Sequence, residues 1–252
     1  MKAIILAAGQ GSRLGALTAN SPKCLINFNG RTLLDRQLDT LVNNGIDDVT
    51  IVTGFRDEQI EAALARRQGG PTVRTIYNPF YKVADNLGSL FIAKEALEGD
   101  VLVWNGDTLV SDALMAKVVG NQQSGICVTI DRKDSYDADD MKVVTADDGR
   151  LLAIGKRLDA GVNAESIGLL AFRGDGAARF AQAIENNIRK PEGTTIWYLR
   201  VIHHLASQIP VWTLDIQGHE WGEVDFPPDV EAAMALTAHW DAQAMADNRH
   251  VA

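Results

Sequence analysis

The sequence is short of several things, and each shortage removes a class of protein. Two cysteines, Cys24 and Cys127, are too few for a disulfide framework, and no Cys/His spacing suits zinc. A reduced, cytoplasmic setting is therefore expected. Basic residues are the minority: 24 Lys and Arg against 33 Asp and Glu give a net charge of -9, with no basic stripe to neutralise a nucleic-acid backbone. One nucleotide remains within reach, because a few local cations and a metal ion suffice for a triphosphate. No apolar run approaches bilayer-spanning length, so no membrane partner is expected. The apolar start, residues 1–8, is too short for a secretory core and is cut by Gly9 and Gly11, so it reads as a buried first strand.

What is present is an alternation of apolar runs and amphipathic stretches. Strands are expected over 3–8, 49–53, 73–77 and 101–105, and helices over 32–44, 57–67 and 88–97. Runs such as Val101-Leu102-Val103 suit strands covered on both faces. This order predicts an α/β fold: a Rossmann-like mixed, mainly parallel sheet flanked by helices. Beyond Asp107 the strand-like segments 125–130, 142–145, 151–154 and 167–172 crowd together, so a mixed or antiparallel region is expected. Asp148-Gly149 supplies a turn between two of them. Helices over 176–188 and 195–207, a strand over 211–215 and a last helix from Pro227 to about 246 complete the reading. No repeat or linker divides the chain, and residues 1–252 are read as one domain.

The most informative stretch is Leu6-Ala7-Ala8-Gly9-Gln10-Gly11-Ser12-Arg13-Leu14. Its glycines let backbone amides approach an anion, and Arg13 and Lys23 bring two cations to the same end of the sheet. A dinucleotide fold would want a third glycine where Leu14 stands, and a P-loop would want Gly-Lys-Ser/Thr, which is absent. A flexible turn with surface charges is the ordinary alternative. Together with Ser21-Pro22-Lys23, the stretch resembles the signature of the sugar-phosphate and choline-phosphate nucleotidyltransferase superfamily. The resemblance implies the fold of nucleotide-diphospho-sugar transferases, with a nucleotide-binding half over 1–110 and an acceptor-binding half over 111–252. It implies that Leu6, Ala8, Gly9, Gly11 and Ser12 wrap a nucleoside triphosphate whose charge Arg13 and Lys23 offset. The other partner is a phosphorylated small molecule, and a homodimer is left open.

Strand 101–105 ends in Gly106-Asp107, at the carboxyl edge where open α/β sheets bind ligands. The resemblance implies that Asp107 binds Mg2+ and that Asp225 is the second ligand. The alternatives are helix caps, Asp107 for a helix near 111–119 and Asp225 ahead of Pro227-Pro228. Alternation along a strand would put Glu223 on the same face as Asp225, as an outer-sphere partner or an acceptor contact. No general base is required, since a phosphate monoester carries about -1.5 to -2 at neutral pH and is its own nucleophile. Lys156 resembles the lysine that similar enzymes aim at the acceptor phosphate; a solvated strand end is the other reading.

Asn86-Leu87-Gly88-Ser89, Asp139-Asp140-Met141-Lys142, Gly155-Lys156 and Glu165-Ser166-Ile167-Gly168 resemble the bacterial phosphocholine and inositol-phosphate cytidylyltransferase branch. CTP is then the favoured donor, with Asn86 and Ser89 near base or ribose and Gly54 letting the base lie against backbone. A helix cap is the alternative for Ser89. A quaternary ammonium is held by aromatic faces and carboxylates. Trp104, Trp197, Tyr198 and Trp221 are available for this, or for core packing, with Glu165 and Glu223 as counter-charges. Phosphocholine is the first choice of acceptor, with 2-aminoethylphosphonate, or a sugar or polyol phosphate used with UTP, dTTP or CTP, as alternatives.

Overall fold

The computed structural model describes residues 1–251, with residues 247–251 as backbone alone. In chain order the elements are β1 (Lys2–Leu6), β2 (Asn27–Phe28), β3 (Arg31–Thr32), α1 (Leu33–Asn43), β4 (Asp48–Thr53), α2 (Asp57–Arg66), β5 (Thr72–Tyr77) and α3 (Asn86–Ile92). Next come β6 (Val101–Asn105), β7 (Thr108–Val110), α4 (Asp112–Gly120), β8 (Gly125–Asp131), β9 (Lys142–Thr145), β10 (Leu151–Ile154) and β11 (Ala164–Arg173). The chain closes with α5 (Gly176–Ile188), α6 (Tyr198–Ala206), β12 (Val211–Asp215), β13 (Trp221–Glu223) and α7 (Pro227–Val251).

A nine-stranded sheet runs β10-β9-β11-β6-β1-β4-β5, with β8 and β12 joined beside β11. Strands β6, β1, β4 and β5 are parallel to one another, and β11 turns the sheet antiparallel where it meets β6, β8 and β9. The expected Rossmann-like mixed sheet is thus observed, and its parallel part carries the glycine loop. Period-two alternation sorts the central strands between two cores. Ile4, Val101 and Val103 pack with Leu87 and Leu90 of α3, Phe180 of α5 and Tyr198 and Val201 of α6. Ile5, Leu102 and Trp104 face the other way, onto Leu34 and Leu38 of α1 and Leu114 and Met115 of α4.

Helix α1 starts where the sequence instructs: Thr32 accepts from the Asp35 amide while Asp35 reaches back to the Thr32 amide, a capping box. A third, smaller cluster joins Leu14, Phe28, Leu33, Leu109, Val224 and Ala233, and so fastens the glycine loop and the start of α7 together. Buried Arg36 donates to Phe28 O and to both oxygens of Asp241, which fixes α7 across α1. Among the described residues, no helix is long and apolar enough to cross a membrane.

Three differences from the sequence expectations bear on the site. Strand β1 ends at Leu6, so Ala7 and Ala8 already belong to the loop. Helix α3 begins at Asn86 rather than 88, which turns Ser89 inward. The short β7, which hydrophobic pattern does not single out, pairs antiparallel with β13, setting Glu223 opposite Thr108.

Candidate active site

The site is built where the ends of β1 and β6 press together. Gly106 donates its amide to Leu6 O at 3.0 Å, and a Cβ at 106 would lie 2.5 Å from that same oxygen. Only glycine permits this approach, and it sets Asp107 beside the loop. From beneath, buried Gln37 donates to both Asn105 O and Thr108 O at 2.9 Å and holds the turn that bears Asp107. Gly11 is left-handed (φ 67°), and a Cβ there would come within 3.0 Å of the Lys23 side chain. The loop therefore doubles back closely enough for Lys23 to cross it.

Lys23 reaches Asp107 Oδ2 at 2.8 Å and Asp225 Oδ1 at 2.6 Å, and Arg13 reaches Asp225 Oδ2 at 2.9 Å. Burial works against the Lys23 ammonium, but the two carboxylates outweigh it and hold its pKa above the ordinary lysine range. Burial likewise opposes the Asp225 charge, and Lys23 and Arg13 overcome it, so its pKa is lowered. Glu223 is raised above the carboxylate range, by desolvation between the cleft walls and by the negative charge of Asp107 and Asp225. Neither aspartate is a cap. Ser111 caps α4 by accepting from Leu114 N, and Asp229 accepts from the amides of Asp225 and Phe226 before α7.

One oxygen from each of Asp107, Glu223 and Asp225 lies within 4.8 Å of the others. Three hard carboxylate donors beside the glycine loop fit a divalent cation that takes oxygen ligands. The Lys23 ammonium bridging two of them shows that a positive charge is accepted at that point.

From this corner a cleft of about 800 Å³ opens, large enough for a nucleotide and a small second substrate. Gly9, Gly11, Ser12, Arg13, Lys23, Asn86, Asp107, Lys156, Glu165, Trp221, Glu223 and Asp225 all line it. Leu6 and Ala8 are not among its lining residues; their carbonyls are taken up within the protein, Leu6 O accepting from Gly106 N and Ala8 O from Phe55 N. Asn86 accepts from the Tyr198 amide at 2.9 Å, tying α3 to the start of α6. Trp221 donates from Nε1 to Asp131 at 2.8 Å, and the Lys156 ammonium sits 5.2 Å above the Trp197 ring.

Four further candidates are absent from the cleft's lining. Trp104 is fully buried, because its place on β6 points it into the α1/α4 core. It cannot touch an acceptor. Ser89, 5% exposed, accepts from Asn78 Nδ2 and packs inside α3, away from the cleft. Gly54 is covered: a Cβ there would meet Ala8 O at 2.6 Å and the Tyr81 side chain at 2.7 Å, so this close packing, not a base, explains the glycine. Tyr198, also fully buried, donates to Asn105 Oδ1 at 3.1 Å and supports the floor without facing the cleft.

Asp131, Lys133, Asp137 and Asp229 also line the cleft, although no motif singles them out. For the first three the one signal in the sequence is the density of charged residues around 131–140, which is ordinary for a solvated loop, and Asp229 reads as a helix-start residue after Pro227-Pro228.

Fold and site together define the class, a nucleotidyltransferase. The chain belongs to the MobA-like NTP transferase domain family, whose model matches residues 3–179. It is similar to choline-phosphate cytidylyltransferase of Streptococcus pneumoniae, 39% identical over 103 residues, covering 41% of this chain and 43% of that enzyme. The aligned part is thus under half of that relative's length. It is also similar to 2-aminoethylphosphonate cytidylyltransferase of Lancefieldella rimae, 26% identical over 91% of this chain and 90% of the relative. The solved structure of CTP:phosphocholine cytidylyltransferase from Streptococcus pneumoniae shares the fold, with a TM-score of 0.77 at 22% identity over 94% of this chain and 98% of the other.

Proposed function

We propose that the protein transfers CMP from CTP to a small zwitterionic acceptor bearing a phosphate or phosphonate, with phosphocholine first and 2-aminoethylphosphonate second, and releases pyrophosphate. The carrying observation is the charge of the cleft. Its four basic side chains are Arg13, Lys23, Lys133 and Lys156, and its carboxylates outnumber them more than two to one. Two of its walls are Trp197 and Trp221. A cleft for two phosphorylated molecules that is nevertheless acidic and aromatic suits an acceptor with a cationic end. Both relatives are cytidylyltransferases by name, which supports CTP as donor.

In this reading the glycine loop positions the triphosphate, and Arg13 and Lys23 neutralise it as charge builds on the leaving pyrophosphate. Asp107 and Asp225, with Glu223 as outer partner or third ligand, would hold Mg2+, which supplies further charge stabilisation when bound. Lys156 orients the acceptor phosphate for in-line attack. The reaction is one of positioning and electrostatics and uses no general base. Asn86 lies on the nucleotide side; Trp221, Glu165 and Glu223 lie on the acceptor side.

Pyrophosphate release measured with four NTPs against phosphocholine, phosphoethanolamine, 2-aminoethylphosphonate, glycerol phosphate and a hexose 1-phosphate tests the proposal. Turnover with CTP and a zwitterion is expected. Turnover confined to UTP or dTTP with the hexose phosphate would overturn it.

A further inference from the structure

The loop 132–141, between β8 and β9, places two oppositely charged side chains, Lys133 and Asp139, against residues of the cleft body. Lys133 Nζ lies 2.8 Å from Glu165 Oε1, and Asp139 Oδ1 lies 3.7 Å from Lys156 Nζ. These two ion pairs cross from loop to body in opposite senses, cation to anion and anion to cation.

We infer that this loop carries an internal imitation of the acceptor: Lys133 and Asp139 hold Glu165 and Lys156 until a zwitterion, cation at one end and phosphate at the other, takes both places. The inference rests on reading this part of the cleft as the acceptor site. Glu165 is the reason an exchange is needed. Its side chain is 4% exposed, so its charged form is costly alone, and it must either keep a facing cation or take up a proton. Burial pushes its carboxyl up to about 7 even with Lys133 opposing.

The loop is made to let go. Lys133 is 38% exposed and keeps Asp140 at 3.0 Å as a partner within the loop when it leaves Glu165. Asp139 is 58% exposed and its contact with Lys156 is long, so a dianionic phosphate outcompetes it readily. Lys156 stays in place meanwhile, seated over Trp197 and with its carbonyl accepting from Lys142 Nζ at 3.0 Å. The tip is ordered by Asp137, which accepts from the amides of Asp139 and Asp140, and the base is anchored by Arg132 on Asp215 at 2.7 Å. An anion alone displaces Asp139 but leaves Lys133 in the site, and a cation alone does the reverse. Only a molecule with both charges gains both exchanges at once, a two-point linkage that discriminates against singly charged acceptors.

The test compares wild type, Lys133→Met, Asp139→Asn and the double variant, with phosphocholine or phosphoethanolamine against glycerol phosphate. Two competing ion pairs removed should lower the double variant's zwitterion KM by roughly five- to thirty-fold. Asp139→Asn should lower KM for every phosphate acceptor, and Lys133→Met only for the zwitterions. Because Asp139 is exposed, its variant carries the test even if Lys133→Met folds poorly. Titration of tryptophan fluorescence with acceptor alone gives the same comparison without turnover. An unchanged or raised zwitterion KM in the double variant, with normal wild-type turnover, overturns the imitation alone. Wild-type inactivity with every zwitterion overturns the functional reading instead.

Discussion

The Lys23 ammonium lies 2.6 Å from an Asp225 oxygen although 202 positions separate them in the chain. The same nitrogen touches Asp107, so two carboxylates that the sequence places far apart share one internal counter-ion.

Replacing Lys23 by Met leaves Asp107 and Asp225 facing each other. Because both carboxylates are a fifth to a quarter exposed, the expected cost is about 1–3 kcal/mol, below that of a fully buried broken pair. A divalent cation should restore more stability to Lys23→Met than to the wild type. Melting temperatures with and without Mn2+ check this, and transfer should fall at least about a hundred-fold in the variant.

Gly106→Ala sets a methyl group 2.5 Å from Leu6 O. Strands β1 and β6 must part at their ends, with an expected loss of about 1–3 kcal/mol by denaturant unfolding. Asp107 moves with that turn, so nucleotide KM should rise as well. A variant with unaltered stability would show that the contact is slack.

Glu165 makes stability depend on pH. Its ordinary value of 4.5 is raised to about 7, first by burial and against the pull of Lys133. Between those values the folded chain keeps a proton that the unfolded chain has lost, so stability falls as pH rises through 4.5 to 7 and levels off above. Glu165→Gln lacks this dependence. Its stability relative to wild type, followed by thermal unfolding, should climb across that window by about 1–2 kcal/mol once water at the cleft mouth is allowed for, and then stay flat.

Trp197→Ala removes the ring under Lys156, leaving the ammonium its loose contact with Asp139 and the longer-range pull of Asp225 and Glu223. Acceptor KM should rise about three- to thirty-fold, the range of one cation–π contact, while CTP KM stays put. Steady-state kinetics with each substrate varied in turn separates the two.

Much of the site was legible because it lies on elements with strong local signals. The continuous apolar runs of β1 and β6 locate the sheet centre, and the residues after each run, Gly9-Gln10-Gly11 and Gly106-Asp107, must emerge at one edge. The expectation of an acceptor contact at Trp104 fails because β6 is covered on both faces, Val101 and Val103 in one core and Leu102 and Trp104 in the other; an aromatic near the site is no evidence of contact. Ser89 turned on where α3 begins, and a two-residue shift in a helix start turns a side chain through about half a circle. The 132–141 loop was hardest to read. Its meaning lies in ion pairs to Glu165 and Lys156, residues on separate strands or turns, and no local pattern encodes such pairs.

The pairing of β7 with β13 has a consequence of another kind. Val224 donates to Asp107 O, and Glu223 stands opposite Thr108, so the spacing of the three clustered carboxylates is ruled by a backbone ladder. The loop 132–141 has no part in that ladder. Substitutions in the loop therefore leave the ruler that spaces the three carboxylates untouched, whereas a slip of the β7–β13 register would move Glu223 and Trp221 together.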